Sequence, residues 1–213
     1  MILRGLASLV PIALLGVNFL LPSHPVTARG PESRVRSDVE TALALGGELP
    51  PFALRALDGR ILTREDLVGR RTLLVFERSL DWCPFTKARV LALREAFQAT
   101  PDLEIVWVMS DTQINERTRL FVGELGLADR ILFLADPKSS LIRQLGLLKP
   151  DAESLEVGVP HPTTLLLDPS GRIRFLDVRE DFHFWLDPSV VGDALARVDR
   201  TPPTPARAGR PRE

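Results

Sequence analysis

The chain has 213 residues, 45% of them hydrophobic, enough for one domain with a real core and an appendage at each end. That composition excludes an intrinsically disordered protein. Lys and Arg number 27 against 28 Asp and Glu, a formal net charge of −1. There is no basic bias to suggest a nucleic-acid partner and no acidic tract to suggest a solvating tail.

Met1 to Arg4 make a short, positively charged start, Leu6 to Leu21 an apolar run, and Val26-Thr27-Ala28 a small-residue exit. This is the three-part plan of a secretory signal peptide, with a cleavage position after Ala28. The run is broken by Pro11 and Asn18 and is short for a membrane span. Residues 1–28 therefore read as a cleaved signal peptide or an uncleaved N-terminal anchor, the latter a membrane tether through residues 6–21. Either places the folded domain outside the cytoplasm, periplasmic or secreted. Residues 29–47 read as a polar tether with a short helix over Val35–Leu45. Residues 200–213, with four prolines and four arginines, read as a disordered tail.

Between them, over 48–199, strand-like and helix-like patterns alternate. Phe52-Ala53-Leu54 and Arg60-Ile61-Leu62 flank Asp58-Gly59, a strong hairpin signal. Arg71–Phe76 is a buried-strand run, Pro84–Ala99 a helix, Glu104–Met109 a second buried strand and Thr112–Leu125 a helix. Ile131–Leu134 is a strand and Ser139–Leu145 a short helix. Thr163–Leu167 and Arg172–Val178 are strands around the turn Asp168-Pro169-Ser170-Gly171. Pro188–Val198 closes as a helix capped by Asp187. The expected fold is α/β, a mixed central sheet flanked by helices with an N-terminal β-hairpin extension.

Cys83 is the single cysteine. A disulfide within the chain is excluded, which leaves a buried inert thiol, an intermolecular bridge or a reactive site. Its setting is strand, short loop and helix start: Phe76-Glu77-Arg78-Ser79-Leu80-Asp81-Trp82-Cys83-Pro84-Phe85-Thr86-Lys87. Pro84 suits the first helical position. The sulfur of Cys83 is then placed for the orphan amides near Phe85 and Thr86, which with the helix dipole favour a thiolate.

Trp82-Cys83-Pro84-Phe85-Thr86-Lys87 resembles the Trp-Cys-x-x-Cys-Lys motif of thioredoxins, with Thr86 in place of the second cysteine. Downstream, Val159-Pro160-His161-Pro162-Thr163-Thr164 is similar to the family's Pro-Thr strand start. With the hairpin and the Asp-Pro-Ser-Gly turn, the chain over residues 48–198 resembles the redoxin branch of the thioredoxin fold, alkyl hydroperoxide reductase C and thiol-specific antioxidant. The resemblance implies a thioredoxin-like fold and thiol redox chemistry. It also implies that the bond before Pro162 is cis and that the Pro162 loop faces Cys83. The departures are specific. Leu80 and Phe76 stand where peroxiredoxins carry threonine and proline, and Cys83 takes the first position of the thioredoxin pair, not the peroxiredoxin position. One cysteine is also too few for the copper-delivering relatives.

The candidate site is thus Cys83 with Trp82, Thr86, Glu77, His161 and Pro162. Thr86 can offer a hydroxyl to the thiolate, or be an ordinary first-turn residue. A protonated His161 would stabilise thiolate if the Pro162 loop faces the sulfur. Glu77 takes the place of the family's buried carboxylate, or pairs with a neighbouring arginine. Trp82 is a lid over the sulfur or simple packing. Asp81 works against the thiolate, and His183 reads as edge packing. Three histidines in no metal-ligand spacing give no metal site, and no cofactor is expected. The expected activity is one-cysteine thiol oxidoreduction, by disulfide exchange or peroxide reduction. The partners are a protein disulfide, thiol or peroxide as substrate and an external thiol as reductant. A redoxin-fold binding module and a degenerate scaffold without turnover remain the alternatives.

Overall fold

The computed structural model describes residues 35–150, 154–184 and 186–200. The leader expected over 1–28, the first part of the tether, and the tail beyond 200 lie outside the described residues. Among the described residues no helix is long and apolar enough to cross a membrane.

Eight strands form one mixed sheet: β1 (Val35–Ser37), β2 (Ala53–Ala56), β3 (Ile61–Thr63), β4 (Arg71–Phe76), β5 (Leu103–Ser110), β6 (Ile131–Asp136), β7 (Thr163–Leu167) and β8 (Ile173–Val178). Their spatial order is β1-β8-β7-β4-β5-β6-β2-β3. β4, β5 and β6 run parallel, β7 lies antiparallel against β4, and β8 antiparallel against β7. Among the described residues four helices accompany them: α1 (Pro84–Phe97), α2 (Glu116–Glu124), α3 (Ser140–Gln144) and α4 (Pro188–Arg200).

The alternation along β4 and β5 decides the two cores, because successive side chains leave opposite faces of a strand. Leu73, Val75, Ile105, Trp107 and Met109 pack with Val90, Leu93 and Phe97 of α1 and Val191 and Leu195 of α4. Leu74, Phe76, Val106 and Val108 pack on the other face with Leu141 and Ile142 of α3 and with Leu49 and Leu67. Buried on both faces, the central strands are apolar almost throughout, as the sequence suggested.

The hairpin expected around Asp58-Gly59 is β2–β3, and β2 attaches it to β6, antiparallel. Two local expectations fail. Val35–Leu45 holds no helix: β1 instead pairs parallel with β8, and the amide of Ala42 donates to Leu145 O at 3.0 Å. The open edge of β8 offers backbone partners that outweigh the weak helical preference of this polar stretch. The helix expected from Thr112 starts only at Glu116. Asn115 caps it by accepting from the Thr118 amide at 3.0 Å, while Asp111–Gln113 forms a separate 3-10 turn.

Candidate active site

β4 carries the chain out of the sheet at Phe76, and residues 77–82 lead into α1. Cys83 is the N-cap of α1 (φ −92°, ψ 108°) and Pro84 its first helical residue, as expected from the sequence. The sulfur accepts no capping hydrogen bond from the helix amides, so the contacts expected near Phe85 and Thr86 are not made. Cys83 is also 1% exposed, a nearly enclosed thiol.

The Thr86 hydroxyl has another partner. Its hydroxyl donates to Glu77 Oε2 at 3.2 Å, so its polarity is spent on a carboxylate. Glu77 in turn is buried and ion-paired to Arg89, and Arg89 also donates to the Thr164 hydroxyl. Of the two readings of Glu77, the structure shows the arginine pair. Arg89 lies on the inward face of α1 with Val90 and Leu93, three residues beyond Thr86. A charge on a stripe that is otherwise apolar was the available signal for it.

Trp82 is half-buried and donates its indole N–H to Gln113 Oε1 at 3.0 Å. Arg78, 2% exposed, is held between two rings: its Cζ lies 4.8 Å from the Trp82 centroid and 3.7 Å from that of Phe182. Its Nη2 is ion-paired to Glu156, and its charge interacts with Cys83. Burial pushes the Arg78 guanidinium down from its ordinary value, while Cys83 and Glu77 act the other way. Arg78, Arg89, Gln113 and Glu156 were not singled out in the sequence. Asp81 Oδ2 accepts from Asn115 Nδ2 at 2.8 Å, its carboxylate bound into the start of α2.

The second signature lies at the same end of the sheet, because Thr163 pairs opposite Phe76 across β7 and β4. The bond before Pro162 is trans, as no cis peptide bond occurs among the described residues; the expectation of a cis bond is corrected. The segment is fixed by its own ladder: the His161 amide donates to Leu147 O at 2.7 Å, and the Arg179 amide to Pro162 O at 2.9 Å. His161 is 6% exposed, and burial is the first of the causes that push its imidazole below the ordinary value, with Lys149 adding to it. Burial thus works against the protonated form of His161 that support of a thiolate would need. Its Nδ1 has no hydrogen-bond partner among the described residues. His183 packs at 4.7 Å from the Phe85 ring, an edge residue as expected. Among the described residues no three His, Cys, Asp or Glu side chains gather as a metal site.

Several solved structures share the fold. A thiol peroxidase from Chromobacterium violaceum superposes with a TM-score of 0.62 at 17% identity, over 74% of this chain and 89% of its own. AhpC from Enterococcus faecalis gives 0.60 at 16% identity, over 72% and 91%. The thioredoxin domain of a thiol-disulfide oxidoreductase from Bacteroides vulgatus gives 0.50 at 18%, over 75% and 98%. No curated protein matches the sequence. Residues 45–176, more than half of the chain, match the AhpC/TSA family. With a thioredoxin-like fold and a cysteine at the mouth of its first crossover helix, the chain belongs to the AhpC/TSA family.

Proposed function

We propose that this protein is an exported thiol oxidoreductase that works through Cys83 alone. The observation that carries the reading is the position of the only cysteine, at the N-cap of α1 and next in the chain to Trp82, whose ring the buried Arg78 guanidinium covers at 4.8 Å. The thiolate is the species that attacks a disulfide or a peroxide. With a disulfide, the sulfur forms a mixed disulfide and expels a thiolate. With a hydroperoxide, it becomes a sulfenic acid and releases an alcohol or water. An external thiol then restores Cys83, because the chain holds no second cysteine. In this reading Trp82 and the Pro162 loop shape the approach to the sulfur. Glu77, Thr86 and His161 act as positioning residues around it.

The near-complete burial of Cys83 favours a second reading, a binding module or scaffold without turnover. Hydrogen peroxide and a small disulfide, added separately to the folded protein, distinguish the two by the intact mass at Cys83, with Cys83→Ser as blank. The oxidoreductase reading expects an adduct that an added thiol removes. Modification only after denaturation supports the scaffold. Export rests on residues 1–28, and fractionation that finds the full-length chain soluble in the cytosol counts against it.

A further inference from the structure

Resting on that reading, the geometry points to Glu156 as a displaceable carboxylate that closes the Cys83 site. We infer that Arg78 and Lys149 beneath it form a carboxylate subsite, and that the external thiol is a small acidic thiol.

Three observations carry this. Arg78 is nine-tenths buried, yet among the described residues its Nε and Nη1 have no hydrogen-bond partner. Only Nη2 is engaged, by Glu156 Oε1, while Glu156 Oε2 accepts from Lys149 Nζ at 2.7 Å. Two cations therefore share one carboxylate, and Arg78 is the one that lies over the ring of Trp82, the residue before Cys83.

Second, Glu156 sits on a segment that is easily moved. It ends the single 3-10 turn Ser154–Glu156, and its neighbours Leu155 and Val157 are 66% and 53% exposed. The segment is held by one backbone bond, from the Val159 amide to Glu156 O at 3.0 Å, and by a few side-chain bonds to its backbone. Gln113 Nε2 donates to Leu155 O at 3.2 Å, the Thr112 hydroxyl to Val157 O at 2.9 Å, and the Ser139 hydroxyl to Gly158 O at 2.8 Å. Third, the sulfur is enclosed, so something must leave before any partner reaches it.

The electrostatics then select the partner. Withdrawing Glu156 strands a buried guanidinium, which is strongly disfavoured unless another anion takes its place. A neutral molecule cannot do so. A carboxylate can, and the unpartnered Nε and Nη1 of Arg78 offer it additional donors in a planar fork. An acidic thiol RSH would condense with the Cys83 sulfenic acid to give the mixed disulfide and water. A second thiolate RS⁻ would then attack the R sulfur, releasing the Cys83 thiolate and RSSR.

The probes are two small disulfides, that of mercaptoacetate and that of neutral mercaptoethanol. Mixed-disulfide formation at Cys83 is followed by intact mass, and each rate is divided by that of the urea-unfolded chain. The acidic probe is expected to be favoured about tenfold, the size of one charge-assisted hydrogen bond. Glu156→Gln, which removes the competing charge, should quicken the acidic probe by about tenfold more. Lys149→Met should reduce the preference, and circular dichroism checks that each variant is folded. Both probes reacting without preference, or a preference that Glu156→Gln leaves unchanged, would overturn the subsite and its gate while thiol chemistry stands. Neither probe reacting with the folded wild type or Glu156→Gln would sink the oxidoreductase reading as well.

Discussion

Glu77 and Arg89, twelve residues apart, meet as a buried ion pair under the loop that carries Cys83, with Thr86, Thr164 and the Arg78 amide as further partners. The pair joins the exit of β4 to the inward face of α1 and reaches β7, so it sets how the helix start lies over the sheet. Removing one partner leaves an uncompensated buried charge. Arg89→Met should therefore cost about 3–5 kcal/mol in urea unfolding. The double variant Glu77→Met with Arg89→Met should lose less than Arg89→Met alone, because no charge is then stranded.

Thr86 stands at the third position of α1, one helical turn from the Cys83 cap. Residues at this spacing at a helix start lie on one face, close enough for a disulfide. Thr86→Cys should form an internal disulfide on mild oxidation, seen as the loss of two hydrogens by intact mass. It should also release mixed disulfides that the wild type retains until a thiol is added. Persistence of two free thiols in Thr86→Cys after oxidation would count against this geometry.

Gly158 has φ +82°, and a Cβ there would lie 2.6 Å from Ser139 Oγ and 2.7 Å from Ser110 Oγ. Both hydroxyls belong to the anchor of the 154–158 segment, since Ser139 bonds Ser110 as well as Gly158 O. Gly158→Ala should destabilise the fold by about 1–3 kcal/mol. It should also loosen the segment, so that a neutral alkylating reagent modifies Cys83 faster than in wild type at a fixed pH.

His161 is depressed below its ordinary value of 6.5, with burial the first cause. The unfolded chain therefore binds the proton more readily than the folded one. Its contribution to stability is present above the unfolded value. It diminishes as pH falls through about 6.5, and the loss is complete once pH is below the folded value. Urea midpoints between pH 7.5 and 5.5 should fall more steeply for wild type than for His161→Gln. Parallel profiles would mean that His161 takes up its proton without cost.

The central strands were legible because burial on both faces writes itself into a local sequence: Arg71–Phe76 is β4 to the residue. The helix start at Cys83 was legible for the same reason, since Pro84 is a local signal. Val35–Ser37 was not, because nothing within it specifies a strand; the edge of β8 does. The trans bond before Pro162 and the downward shift of His161 are likewise not written in the Pro-Thr pattern. Arg78 and Glu156 are 78 positions apart, and no spacing in one sequence announces that pair. The family resemblance led to the sulfur, but the charges around it are this chain's own arrangement.

The outermost strand β3 is only three residues long, whereas β4 and β5 lie deep in the sheet order. A second chain seeking to extend the ladder finds almost no template at the β3 side, which protects that edge of the finished molecule from edge-to-edge aggregation. The same layout exposes a hazard earlier. Until β7 and β6 have docked, the apolar ribbons Leu73–Phe76 and Ile105–Met109 are open to wrong partners, so the vulnerable moment is refolding and not the native lifetime.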